Sequence, residues 1–305
     1  MKLKQIEECG LVQKAASREG VCLDIGPFCV RIKSVENSFL KTLAFLYQDF
    51  PVLPSDAFAD FHIVIERQRG IRRYLKSQVH FITDGLQPFE PFPLDHALPL
   101  FEWGLNWGIA RRSHQYLMLH AAVVEKEGKA LILPAIPGSG KSTLSAALAM
   151  NGWRFLSDEF TMIRPHDGRI IPIPRPTPLK NASIEVIKNA FPEAEMGPLF
   201  PKTRKGTVAH LRTPRESVEQ LKQTTLPYIV VFPAFRADAQ IELNELNTPY
   251  ALFKLASNAF NYELMGQTGF ELIKTIASSC RCYNLTYGSL DQALPLLDDL
   301  LIQNI

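Results

Sequence analysis

The stretch from Lys129 to Met150 constrains this chain more than any other. Lys129-Ala130-Leu131-Ile132-Leu133 is an apolar run of strand length, and such a run forms a buried strand. The turn Ala135-Ile136-Pro137-Gly138-Ser139-Gly140 follows, and Lys141-Ser142-Thr143 opens a helix that reaches about Met150. Strand, glycine turn and helix N-terminus in that order gather backbone N–H groups around an anion. Gly138 and Gly140 permit backbone angles and a close approach that a side chain would block. Lys141 is placed to reach β- and γ-phosphates, and the Ser142 hydroxyl to ligate Mg²⁺. The segment Pro137-Gly138-Ser139-Gly140-Lys141-Ser142-Thr143 therefore reads as a phosphate-binding P-loop. The strict pattern opens with glycine where this chain has Ala135, and the residues nearest the phosphates are intact.

Seventeen residues after Lys141, Asp158 and Glu159 close the run Trp153-Arg154-Phe155-Leu156-Ser157. Phosphoryl transfer asks for a cradle, a metal ion and a carboxylate that takes the incoming hydroxyl's proton. Beside a P-loop, the pair suits metal binding and base catalysis better than a solvated strand end. His120, at the start of the strand His120–Val124, reads from the chain alone as a satisfied structural histidine. Arg175 and Lys180, around the Pro172–Pro178 cluster, are candidates for contacting a phosphate or an acidic substrate. Lys205, His210 and Arg212 form a second cationic group able to neutralise transition-state charge. Trp103 and Trp107, four residues apart on a predicted helix over 99–112, read as core.

The 305 residues suffice for one large domain or two ordinary ones. With 33 Lys+Arg against 31 Asp+Glu, the net charge of +2 makes nucleic acid and membrane unexpected partners. The basic run Arg67-Gln68-Arg69-Gly70-Ile71-Arg72-Arg73 reads as a solvated turn. Five cysteines without CxxC spacing argue against a disulfide framework or a zinc site. Charged residues break up any apolar run after Met1, so no signal peptide is expected, and the reducing cytoplasm fits best. Strands are predicted at Phe28–Ile32, Phe61–Ile65, Leu156–Ile163, Arg169–Ile173 and Tyr228–Phe232, with hairpin turns at Glu127-Gly128 and Asp167-Gly168. Helices are predicted around Phe39–Tyr47, at 263–278 and at 290–301. The mixture implies α/β with a mixed sheet: an α+β region over 1–115, then a P-loop domain over 116–305.

Three stretches carry a family resemblance: Leu119-His120-Ala121-Ala122-Val123-Val124, the loop Pro137–Thr143, and Gly152-Trp153-Arg154-Phe155-Leu156-Ser157-Asp158-Glu159. Together they resemble the HPr kinase/phosphorylase family. The group A branch of HPr-kinase-related proteins resembles the chain further at Phe101–Trp107, Pro176–Asn181, Gly206–Leu211 and Phe260-Asn261-Tyr262. The resemblance implies a phosphoenolpyruvate-carboxykinase-like P-loop core, Mg²⁺ and ATP as cofactors, and transfer to a serine of a small protein or peptide. It implies that Asp158 and Glu159 supply the base and hold metal, and that His120 tunes that base. Glu159 stands where the family has Asp, and the family's later glycine-rich signature is not recognisable. HPr as acceptor and phosphorylase activity are therefore not carried over. A small-molecule kinase and a nucleotide-binding recognition switch stay open as alternatives, as does a homo-oligomer.

Overall fold

The computed structural model describes residues 1–68 and 77–302, so Arg69 to Arg73 of the basic run lie outside the described residues. Arg67 pairs with the buried Glu36 at 2.5 Å. The protein is α/β, with two mixed six-stranded sheets and two antiparallel three-stranded ones among the described residues.

The first sheet holds β1 (Val21–Asp24), β2 (Cys29–Ser34), β3 (Val52–Leu53), β4 (Phe61–Arg67), β5 (Gln78–Thr83) and β6 (Phe92–Pro93), in the order β3-β1-β2-β4-β5-β6. Its one parallel pair among the described residues, β2 with β4, needs a crossover, which α2 (Asn37–Leu46) supplies after α1 (Glu8–Ala16). Leu40, Leu43 and Leu46 of α2 meet Phe101, Leu105 and Ile109 of α3 (Ala97–Arg112) in the same core. That core also takes in Met118, Phe160, Met162 and Ile173, so apolar packing continues past residue 115.

The next elements are β7 (Leu117–Leu119), β8 (Ala121–Lys126), β9 (Lys129–Pro134), α4 (Lys141–Met150), β10 (Arg154–Ser157), β11 (Thr161–Ile163) and β12 (Ile170–Ile171). There follow β13 (Thr177–Lys180), α5 (Ala182–Ala190), β14 (Phe200–Thr203), β15 (Gly206–Leu211), α6 (Arg215–Glu219), β16 (Leu226–Phe235) and β17 (Glu242–Glu245). Helices α7 (Thr248–Ser257) and α8 (Tyr262–Ser279), strand β18 (Arg281–Tyr287) and helix α9 (Leu290–Ile302) complete the series. The second large sheet has the order β10-β8-β9-β16-β18-β17, with β9, β16 and β18 parallel to one another. The glycine loop leaves the C-terminal end of β9, at the edge where parallel strands present helix N-termini.

Two small sheets frame that edge, β12-β11-β7 and β13-β15-β14. Helix α4 lies between layers. Leu144 and Leu148 pack on the large sheet with Val124, Leu131 and Leu133, while Ala146 and Ala147 meet Leu179, Ile184, Ile187 and Ala209 of the β13–β15 layer and α5. A helix buried on both sides is apolar all round, and its small residues let the second layer approach.

The predicted strand Leu156–Ile163 is two strands in two sheets. β10 pairs with β8, and β11 pairs with β7. The paired segments β7–β8 and β10–β11 both leave the large sheet at the same level, bending at His120 on one side and at Asp158–Phe160 on the other. The backbone N–H of Phe160 donates to Ser157 Oγ at 3.2 Å and stabilises the bend. The predicted strand Arg169–Ile173 shrinks to Ile170–Ile171, because Pro172 and Pro174 bring no N–H to a ladder. The hairpin at Asp167-Gly168 does join β11 to β12.

The clamped helix yields a packing prediction. Ala147 is fully buried against the β13–β15 layer. Ala147→Leu should therefore lower the unfolding free energy by about 1–3 kcal/mol in urea titrations through overpacking. A change below about 0.5 kcal/mol, the usual scale for surface substitutions, would contradict this packing.

Candidate active site

The loop between β9 and α4 is fixed from two neighbouring strands. Phe235 N–H donates to Ser139 O at 2.9 Å from the end of β16, and Tyr287 Oη donates to Gly140 O at 3.2 Å from the end of β18. Gly138 and Gly140 have φ of 90° and 86°, a region in which side chains are strained. At Gly140 a Cβ would also fall 2.4 Å from Tyr287 Oη and 2.8 Å from Phe235 Cβ, so glycine is required twice over. Ser139 Oγ is shut from solvent and has no hydrogen-bond partner among the described residues.

The helix N-terminus converges on one carboxylate. Ser142 Oγ donates to Asp158 Oδ2 at 2.8 Å, and Ser145 Oγ donates to Asp158 Oδ1 at 3.1 Å. Lys141 Nζ donates to the Asp158 carbonyl and stands 3.8 Å from Asp158 Oδ1. Both Lys141 and Asp158 are buried, and a buried charge pair needs such additional hydrogen bonds. The neighbouring Glu159 is more open and faces His120, with Nε2 3.9 Å from Glu159 Oε1. They meet because each sits on the bend of its own strand in the same antiparallel pair. Burial, followed by the Lys141 charge, holds His120 below the usual histidine range, so its ring is neutral near pH 7. The Phe260 ring lies 5.5 Å from it.

Beyond the acids opens a cleft of about 570 Å³, its mouth included. Asp158 and Glu159 form one wall of it. Another comes from β13 and β15, which pair antiparallel with Pro178 opposite His210 and Lys180 opposite Val208. Those four residues line the cleft, while the alternate residues Leu179, Ala209 and Leu211 pack toward α4. Period-two alternation thus separates site from core along both strands. Helix α3 closes the cleft with Glu102, Trp103 and Asn106.

The structure brings together most of the residues singled out from the sequence. Lys180 and Lys205 line the cleft, as do Arg175 and His210. Arg175 is no free cation: it pairs with the buried Glu102 at 3.1 Å and donates to Asn106 Oδ1, while Tyr47 Oη donates to the other Glu102 oxygen at 2.5 Å. Burial raises the Glu102 pKa, and Arg175 and Tyr47 pull it back toward the ionised form. Arg212 lies outside the cleft, paired with Glu195 and with its guanidinium over the Phe45 ring. The reading of Trp103 and Trp107 as core is corrected, since both are only partly buried and Trp103 is a cleft wall. Glu102 and Asn106 line the same cleft and were not among the candidate residues of the sequence. Their signal was a carboxylate and an amide four residues apart, one helical turn, inside an apolar helix.

The donor set suits a hard divalent cation. Ser142 Oγ and the Asp158 carboxylate are adjacent oxygen ligands, with the Glu159 carboxylate next in the chain. Among the described residues, no group of three or more His, Cys, Asp or Glu side chains gathers as a self-sufficient metal cage. No helix among them is long and apolar enough to cross a membrane.

No family model matches this sequence, and no curated protein does. Among solved structures, the HPr(Ser) kinase/phosphatase from Coxiella burnetii superimposes with a TM-score of 0.29 at 10% sequence identity, covering 61% of this chain and 99% of that one.

His210 makes the site pH-sensitive. Burial, then the charges of Arg175 and Lys180, push its pKa from 6.5 down to about 3. The unfolded chain protonates this histidine near pH 6.5 and the folded one does not. The unfolded state therefore binds more protons below that pH, and stability falls as pH falls. Urea unfolding should show a loss of about 2 kcal/mol between pH 6.5 and 5, at up to ~1.4 kcal/mol per unit. His210→Leu should flatten this dependence. Identical pH profiles for the variant and the parent would contradict the assignment.

Proposed function

We propose that this chain is an ATP-dependent phosphotransferase built on a phosphoenolpyruvate-carboxykinase-like P-loop core, moving the γ-phosphate to a serine or threonine hydroxyl of a small protein or peptide. The observation that carries this reading is the convergence of Lys141, Ser142 and Ser145 on Asp158, with Glu159 and His120 beside it at the edge of a cleft. In it, the ATP phosphates lie along Pro137–Thr143, where backbone N–H groups and Lys141 offer donors. Ser142 and Asp158, with Glu159 alongside, would hold Mg²⁺. That ion supplies neutralisation of charge on the β- and γ-phosphate oxygens.

The two acids divide the work. Asp158 already accepts from two hydroxyls and lies beside Lys141, and its remaining lone pairs would face the metal ion, so it is poorly placed to take a proton. Among the described residues, Glu159 has only the neutral His120 within ion-pair distance of its carboxylate, and it lines the cleft. It is the freer base, and His120 orients it. The acceptor O–H bond breaks as its proton passes to Glu159. The acceptor oxygen bonds to the γ-phosphorus, and the bond from that phosphorus to the bridging oxygen breaks, its electrons leaving with ADP. Little covalent work is asked of the protein beyond this positioning.

One observation favours a second reading, a kinase acting on a compact free metabolite. The cleft beside the acids carries polar groups on several walls, Glu102, Arg175 and Lys180 among them, as a site for a compact polar molecule would.

Two variants separate binding from chemistry. Lys141→Ala should weaken Mg²⁺-ATP binding by about tenfold or more in calorimetry and abolish ADP formation, since it removes the loop's only flexible cation. Glu159→Gln should bind Mg²⁺-ATP like the parent and lose about 10²–10⁴-fold in turnover. A Lys141→Ala protein that binds and turns over normally would refute the reading.

A further inference from the structure

Two cations in the cleft have no partner in the mechanism. Lys180, at the end of β13, and Lys205, in the turn between β14 and β15, both line it, and no carboxylate among the described residues lies within ion-pair distance of either. Of the other charges lining the cleft, Arg175 is paired with Glu102 and Asp158 lies beside Lys141 and two hydroxyls, while Glu159 is left for the acceptor hydroxyl and acts on Lys180 only from beyond ion-pair distance.

The chain invests structure in holding these lysines together. Asn181, directly after Lys180, has a φ of 51°, a strained value for a residue with a side chain. It is held there by Thr207: Asn181 N–H donates to Thr207 O at 2.9 Å, and Thr207 N–H donates to Asn181 Oδ1 at 3.0 Å. In the facing turn, Lys205 N–H donates to Thr203 Oγ1 at 3.1 Å, and Thr203 Oγ1 donates to Gly206 O at 2.7 Å. Lys205 then projects over Trp103, with Nζ 5.2 Å from the ring centre. A ring face attracts a cation and so holds the ammonium at the cleft wall. Burial first, and repulsion from Lys205 second, keep the Lys180 pKa below the usual lysine range. The exposed Lys205 repels the half-buried Lys180, and an anion between them removes that cost.

A second, independent feature points to an occupant. His210, opposite Pro178 on the cleft wall, is 2% exposed, and its Nδ1 has no hydrogen-bond partner among the described residues. A buried polar atom left unpaired is costly, so the wall beside the lysines holds an unmet hydrogen-bonding group.

We propose that the cleft is the acceptor site, and that it selects acceptors in which the reactive hydroxyl lies a few bonds from an anionic group, a carboxylate or a phosphate, seated between Lys180 and Lys205 with Trp103 as its wall. The hydroxyl end then points toward Glu159, at the other side of the same cleft. This deepens the phosphotransfer reading and rests on it for the direction of the hydroxyl. The anion site itself stands on the lysines, the tryptophan and the histidine. Such an anion can belong to a free hydroxy acid or sugar phosphate, or to an acidic residue next to serine in a peptide.

The test is binding without nucleotide, so that it does not depend on catalysis. Calorimetry would compare D-glycerate and glycerol 3-phosphate with neutral glycerol, and the acetylated, amidated tripeptide Glu-Ser-Glu with Gln-Ser-Gln. At least one anionic probe should bind while its neutral counterpart does not. The arm that binds, free anion or peptide, identifies the source. Lys205→Glu and Lys180→Gln should each weaken that binding by about tenfold or more, the usual effect of losing a charged hydrogen-bond partner. Lys205→Met, which keeps the aliphatic stem against Trp103, should weaken it similarly. Mg²⁺-ATP affinity should stay within about threefold in all three, the context scatter of a remote charge. Failure of every anion to bind, equal binding of the neutral probes, or indifference to all three substitutions would overturn the proposal. An equal loss of Mg²⁺-ATP affinity would also overturn it, by giving the lysines to the nucleotide. If Mg²⁺-ATP does not bind but the anions do, the phosphotransfer reading fails and the anion site remains.

Discussion

The burial of α4 between two layers is the constraint on which the site depends. Its leucines hold it to the large sheet, and its alanines let the β13–β15 layer and α5 close over it. Held on both sides, the helix cannot rotate or slide. Its N-terminus is therefore fixed relative to β10 on one side and the cleft wall on the other. Three consecutive consequences follow from that position: Lys141 and Ser142 reach Asp158, the glycine loop is fixed against Phe235 and Tyr287, and Lys180 faces the acids across the cleft. Interiors packed this densely are stiff, which suits a site whose chemistry is mainly positioning.

The second organising feature is the shared bend of β7–β8 and β10–β11. A straight pair of strands would alternate its side chains across one sheet and bury half of them on each face. By leaving the large sheet together, these strands put His120 and Glu159 at the corner, where their side chains meet at 3.9 Å and remain partly open. The acids are thus divided by environment rather than by residue type. Asp158 lies inward among donors, and Glu159 lies outward beside a neutral imidazole.

The local parts of this arrangement were legible in the sequence. The apolar run of β9, the glycines and the lysine of α4 are contiguous, so their pattern needs no tertiary information, and the helix bounds Lys141 and Met150 agree with the structure. The bend at Asp158–Phe160 was not legible, because apolar residues stand on both sides and periodicity carries no mark of a change of sheet. For the same reason Trp103 read as core: a tryptophan on an apolar helix gives no sign of which neighbour is missing. Strand alternation groups Val208 with His210 but cannot say which face looks into the cleft. Arg212, just past the end of β15, falls outside that alternation and turns to Glu195 and Phe45 instead. Arg175 read as a candidate contact for a phosphate or acidic substrate because its neutralising partner, Glu102, lies 73 residues earlier in the chain.

If the loop after β9 and the bend after β10 form one phosphate site, one nucleotide must protect both segments together. Amide hydrogen exchange, followed by peptide with and without Mg²⁺-ATP, tests this most directly. Slowed exchange over Pro137–Thr143 and Ser157–Glu159 together, with Mg²⁺-ATP and not with Mg²⁺-AMP, is the predicted result, since AMP lacks the β- and γ-phosphates. Unchanged exchange in both segments at saturating Mg²⁺-ATP, or protection confined to some other surface, would contradict it.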